Sequence, residues 1–120
     1  MRIAGFTEEK LSGEAESEGV EIRARVTGTA SQREVAALEG FLGAVVAAAI
    51  GGPPTTVAMD LRDLKYMNSS HFKLLVTMVA KLKKSGAPVV LKLRVNESLH
   101  WQKRSLPALK HLAEDIVVLE

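Results

Sequence analysis

From Val20 the chain alternates: Val20, Ile22, Ala24 and Val26 are apolar, and Glu21, Arg23 and Arg25 between them are charged. A period of two with charge on one side predicts a half-buried strand. Thr27-Gly28-Thr29 is expected to end it. Upstream, Arg2 to Phe6 reads as a short strand, and Thr7 to Gly19, rich in Glu, Ser and Gly, as a turn or mobile loop. Past the break the period changes. Ser31-Gln32-Arg33-Glu34 has capping-box spacing, in which hydroxyl and carboxylate each satisfy an orphan backbone N–H. The helix that follows keeps Val35, Leu38, Leu42, Val45 and Ile50 near one side, with Gly51 at its end and Pro53-Pro54 forbidding continuation. Its far half, Ala44 to Ala49, has no charge, which predicts burial on two sides or cover by a partner.

Thr55 to Leu61 reads as a central strand, with Val57, Met59 and Leu61 on one face. A second helix is expected to start around Asn68–Ser70, because Phe72, Leu75, Val76, Val79 and Leu82 follow the i, i+3, i+4 rule. Lys81, Lys83 and Lys84 suit the dipole at its end, and Ser85-Gly86-Ala87-Pro88 stops it. Val89 to Val95 predicts another strand. Asn96 is expected to cap a short helix containing Leu99 and Trp101, and Pro107 to begin or kink a second short turn. Ile116 to Leu119 closes the chain as a strand. Strands alternating with helices imply an α/β fold with a mixed β-sheet and crossover helices packed on it.

The 120 residues predict a single domain, 1–120, with 1–19 as N-terminal strand and acidic loop and 20–120 as core. Apolar residues at 47% and charged residues at 25% are globular proportions. The absence of cysteine removes disulfides, thiolate metal sites and cysteine nucleophiles. The longest uncharged run, Gly40 to Met59, is interrupted by Gly51-Gly52-Pro53-Pro54, which leaves nothing long enough to span a bilayer. With no cationic start leading into an apolar stretch, the expectation is a cytoplasmic protein with no membrane partner. The net charge of +2 divides into −4 over residues 1–60 and +6 over 61–120. Such a bias steers an acidic partner. The spread of the lysines and the 4% aromatic content give no nucleic-acid footprint.

In open α/β sheets, sites gather at the carboxyl ends of strands. Here that place is Asp60 to His71, which joins the central strand to the second helix. Asn68, Ser69 and Ser70 are residue types that cap helices. A hydroxyl at a helix N-terminus is also where a phosphate is well tolerated, so the same residues can form a phosphorylation switch. Sequence chemistry alone leaves both readings open. His71, Leu74, Met78 and Lys81 lie on a stripe beside the core stripe. Exposed, it is a partner surface; otherwise its apolar members are peripheral core. Adjacent Ser70 and His71 do not face each other on a helix, and no Gly-x-Ser-x-Gly elbow occurs, so hydrolase chemistry is not expected. His71, His100 and His111 lack metal-ligand spacing. Asp60 and Asp63 read as a loop-capping pair, and the lack of Gly-rich phosphate motifs argues against a nucleotide cofactor.

The stretch VAMDLRDLKYMNSSHFKLLVTMVAKLKKSGAPVVLKL resembles a STAS domain, the module of anti-sigma factor antagonists and sulfate-transporter tails. Members show a strand ending in Asp-Leu, a short loop, an apolar pair and an Asp-Ser-Ser-Gly motif opening a helix that ends in Lys-Gly. Asp60-Leu61, Tyr66-Met67 and Asn68-Ser69-Ser70-His71 stand at those places. Asn68 replaces the acidic residue and His71 the glycine. Element order extends the likeness to about residues 20–120, and about 35 residues carry it in detail.

The resemblance implies a non-enzymatic regulator of bacterial type. In STAS partner switches the unphosphorylated domain binds a serine kinase of the histidine-kinase-like fold. Phosphorylation of the motif serine releases it, and a PP2C-type phosphatase resets it. By position Ser70 is the acceptor. A divergent branch, partnered with kinases that control diguanylate cyclases, also has Asn before its hydroxyl residues, which points instead to Ser69. On this reading Asn68 caps the helix, and His71, Leu74, Met78 and Lys81 meet the partner. The competing expectation is an unphosphorylated scaffold that acts by constitutive or self-assembly, a homo-oligomer through the alanine-rich first helix, which charges at Val45 or Val46 would break.

Overall fold

The computed structural model describes residues 1–31, 33–53 and 55–120. The elements are β1 (Arg2–Thr7), β2 (Leu11–Glu18), β3 (Glu21–Ala30), α1 (Val35–Ile50), β4 (Thr55–Asp60), β5 (Leu64–Met67), α2 (Ser69–Ser85), β6 (Val89–Arg94), α3 (His100–Leu112) and β7 (Val117–Leu119). They build one mixed sheet in the order β1-β2-β3-β4-β6-β7, with β5 pairing the end of β3. β1, β2 and β3 are antiparallel neighbours; β3, β4, β6 and β7 run parallel.

The parallel part explains where the helices go. Each of β4, β6 and β7 is added on the same side of its predecessor after a helical crossover. Crossovers of one hand progressing in one direction place their helices on one face of the sheet. Burial follows: Ile22, Ala24, Val26, Val57, Met59, Leu91, Leu93 and Val117 are buried, while the alternate residues Arg23, Arg25, Val90, Arg94 and Val118 are exposed. Leu38, Phe41, Leu42 and Val45 of α1 and Leu75, Val79 and Leu82 of α2 complete the core.

The structure corrects several expectations. Residues 11–18 are a strand rather than a loop. Leu11, Gly13 and Ala15 are buried and alternate with Ser12, Glu14 and Glu16, a period of two carried by small residues. Gly13 is required there, because a Cβ would press on the Phe6 and Phe41 rings, which meet edge to face with centroids 5.4 Å apart. Thr27-Gly28-Thr29 does not end β3. Gly28, at φ +110°, carries a register shift that lets the strand leave β4 and pair β5. A Cβ on Gly28 would strike the Lys10 carbonyl.

The capping box does not form as expected. α1 starts at Val35 after Glu34, with no side-chain cap, because the Glu34 side chain turns into the interior; Gln32 lies outside the described residues. Residues Leu64–Met67, expected in a loop, form β5. A single helix replaces the two short turns predicted after Asn96. Pro107 sits inside it on the exposed side, flanked by the buried Leu106 and Leu109 that hold the helix to the sheet. Asn96 does not cap that helix; its side chain accepts from the Ser98 N–H instead. Val45 and Val46 are buried, so neither presents an assembly surface. The outer face of α1 is formed by Ala36, Glu39, Gly40, Gly43, Ala47 and Ile50.

Candidate functional site

The carboxyl ends of β4 and β5 and the start of α2 form the centre of the candidate site. Leu61 begins the connection with its N–H donating to the Arg94 carbonyl of β6. Asp60 then grips Arg62 through both carboxylate oxygens, accepting from the backbone N–H at 3.0 Å, Nε at 3.0 Å and Nη2 at 2.9 Å. Those side-chain hydrogen bonds hold the Asp60 carboxyl below its ordinary range. Asp63 pairs with Arg25 of β3 at 2.6 Å. The two aspartates are therefore an ion-paired loop fastening.

A second fastening comes from α3. Buried Gln102 donates to the Leu61 carbonyl at 2.5 Å and the Leu64 carbonyl at 3.2 Å, and accepts from the Asn96 N–H at 2.7 Å. Trp101 Nε1 donates to the Leu64 carbonyl at 2.8 Å. In the sequence Trp101 stands only as a member of the helix expected after Asn96, and Gln102 carries no signal. In the structure both satisfy backbone groups of the loop that leads into β5 and the serines.

Asn68 is the N-cap of α2. Its Oδ1 accepts from the His71 backbone N–H at 3.0 Å and lies 2.7 Å from His71 Nδ1; its Nδ2 donates to the Ser31 carbonyl at 2.6 Å. The backbone bond fixes the amide orientation, and an amide oxygen only accepts. His71 therefore carries its proton on Nδ1. The bare Nε2 faces Glu34 Oε2 at 3.6 Å in the interior, with no hydrogen-bond partner of its own. Burial holds the imidazole below its ordinary value of 6.5, opposed by the attraction of Glu34.

This arrangement sorts the residues predicted for the site. Ser69 and Ser70 are exposed on the first turn of α2, as a modifying enzyme requires. Asn68 caps their helix. Leu74 is half-buried and Lys81 exposed, beside the groove between α1 and α2. The expected partner contacts of His71 and Met78 are corrected: they are 0% and 2% exposed, because the helical repeat carries them inward with Leu75 and Leu82. His71 is also no base for either serine, since its Nδ1–H is given to Asn68 and its Nε2 points to Glu34. Ser31 and Glu34 border an open cavity of about 430 Å³ with Glu8, Glu9, Lys10 and Arg33. Among the described residues no group of three or more His, Asp or Glu is placed to hold a metal ion. No helix there is long and apolar enough to cross a membrane.

No protein-family model matches the sequence. No curated protein matches it either. Among solved structures, the chain is similar to an anti-sigma factor antagonist from Mycobacterium paratuberculosis. The TM-score is 0.68 at 21% identity, over 94% of this chain and 87% of that one. The chain has the STAS fold. The mixed sheet with crossover helices expected from the sequence is thereby shown. In the STAS fold of this chain the two serines occupy N1 and N2 of α2, held in place from behind by Asn68 and from the side by α3 through the 61–64 loop.

Proposed function

We propose that this protein is a non-enzymatic cytoplasmic regulator acting by phosphorylation-gated binding to another protein. The partner in the unphosphorylated state is a serine kinase of the histidine-kinase-like fold, and a PP2C-type phosphatase restores that state. Ser70 is the acceptor, with Ser69 as the alternative. The observation that carries the reading is the presentation of both hydroxyls: exposed, on the first turn of a helix whose N-cap is locked to β3 and the β3–α1 connection. The positive end of α2 tolerates a phosphate, so modification leaves the fold intact. On the surface, a phosphate adds nearly two negative charges where a docking partner would have to desolvate them. The exposed Lys81 and half-buried Leu74, further along α2, extend the docking surface away from the acceptor.

The test is binding of the protein and its variants to a serine kinase of the histidine-kinase-like fold from the same organism, by isothermal calorimetry. Ser70→Asp is expected to weaken binding at least about tenfold, about 1.4 kcal/mol, while Ser70→Ala keeps it. Tight binding by both Ser69→Asp and Ser70→Asp would replace the switch by a constitutive binding module.

A further inference from the structure

The face of the sheet opposite the helices carries a charge pattern that follows the strand register. Glu14, Arg25, Asp60 and Arg94 are direct cross-strand neighbours on β2, β3, β4 and β6, so one row reads acidic, basic, acidic, basic. The next row is Glu16, Arg23, Ala58 and Lys92, with Val118 beyond it on β7. Within the protein, Arg25 pairs with Asp63, Asp60 with Arg62, and Arg23 with Glu18 and Glu21. The outer members Glu14, Glu16, Lys92 and Arg94 take part in no ion pair among the described residues. Parallel strands are ordinarily covered on both faces. Here the outer face of the parallel part is open, with Val90 36% and Val118 38% exposed beside Ala58 and Lys92.

We infer that this open sheet face is a homodimer interface, in which two copies stack face to face about a twofold axis parallel to the strands and between β3 and β4. That axis maps β2 of one copy onto β6 of the other and preserves each row. Glu14 then faces Arg94 of the second copy, Glu16 faces Lys92, and Arg25 faces Asp60, each pair occurring twice. A twofold axis in the same plane but perpendicular to the strands would lay β2 on β2 and oppose like charges. The pattern therefore selects one arrangement as well as one occupant.

The axis also lays β1 on β7, and the six strands, about 4.8 Å apart and mostly about 20 Å long, give a face of about 500 Å² per copy. The total of about 1,000 Å² stands at the lower limit for a specific interface. With charged pairs at its rim, the dimer is concentration-dependent and weakened by salt, because exposed pairs are screened over about 8–10 Å at physiological strength. The face lies on the opposite side of the sheet from α2, so the dimer leaves Ser69 and Ser70 accessible.

Sedimentation velocity on the full chain tests this at low and high salt. The wild type is expected to approach twice the 13.0 kDa chain mass with rising concentration at low salt and to return toward it at high salt. Lys92→Glu with Arg94→Glu makes both outer columns acidic, and Glu14→Lys with Glu16→Lys makes both basic. Each double variant is expected to stay monomeric, and their equimolar mixture to recover the dimer. That recovery also shows that both variants are folded. A wild type that stays monomeric at every concentration leaves the face to solvent or a different protein and overturns the assignment. So does a dimer that both double variants form as well as the wild type.

Discussion

Replacing Asn68 by alanine removes three hydrogen bonds that meet at the start of α2. Loss of the N-cap costs about 1 kcal/mol. The second loss is larger, because His71 is fully buried and its Nδ1–H would be left without an acceptor, a penalty of about 1–3 kcal/mol. The third frees the Ser31 carbonyl in a partly buried place and adds about 0.5–1 kcal/mol. Bonds that share one side chain do not add fully, so about 3 kcal/mol is expected in all. At a urea slope of about 2 kcal/mol per molar, the unfolding midpoint moves down by about 1.5 M. Asn68→Asp keeps the cap and the acceptor for His71 but sets a carboxylate oxygen against the Ser31 carbonyl in place of the donor, so it costs about 1–2 kcal/mol. Urea unfolding at pH 8, followed by far-ultraviolet dichroism, compares the three proteins while His71 is neutral. An alanine variant within about 0.5 kcal/mol of wild type would refute the buried network. So would an aspartate variant as damaged as the alanine one.

Three further outcomes follow from the same geometry. The folded state holds His71 below its ordinary value, so its contribution to stability is full above pH 6.5 and declines as pH falls from 6.5 toward the lowered folded value. His71→Gln is expected to flatten that part of the profile in urea titrations between pH 8 and 5; an unchanged slope would contradict the burial of the ring. Gln102→Leu leaves the Asn96 N–H without its acceptor and the Leu61 carbonyl with the Leu64 N–H alone, and is expected to cost about 1–3 kcal/mol by urea unfolding, whereas a near-neutral result would mean that the loop does not need α3. Gly28→Ala combines a positive φ with a clash on the Lys10 carbonyl and is expected to lower stability by about 2 kcal/mol or more, whereas Gly43→Ala, in open space inside α1, is expected to raise it by about 0.5–1 kcal/mol; urea unfolding that moves both variants the same way would contradict the assignment.

What was legible in the sequence was whatever large side chains spelled out. β3, β4 and β6 alternate Val, Ile, Leu and Met with polar residues, and α2 has both its apolar stripe and its terminators. Asn68 caps the start of α2, and Gly86 ends it at φ +69°. β2 was hidden because its inward positions include Gly13 and Ala15, which carry almost no hydrophobic signal, although Gly13 leaves the space that the Phe6–Phe41 contact fills. β5 was hidden because only its ends, Leu64 and Met67, are buried, so its four residues show no alternation. The position of His71 was readable in principle. Residues 71, 75, 78 and 82 continue one buried stripe at helical spacing, and His71 and Met78 belong to it. The titratable imidazole at position 71 interrupts the apolar pattern and hides that period. Its partner Glu34 lies 37 positions away in sequence, so only the folded chain brings the carboxylate to it.

A phosphate on the exposed first turn of α2 is what the proposed switch requires, and peptide mass spectrometry on the endogenous protein detects it. Tryptic cleavage after Lys65 and Lys73 isolates the fragment from Tyr66 to Lys73, which contains both serines. A phosphorylated form of this fragment is expected, localised by fragmentation to Ser70 or to Ser69. A fragment that stays unmodified under every growth condition in which the protein is made would contradict the switch.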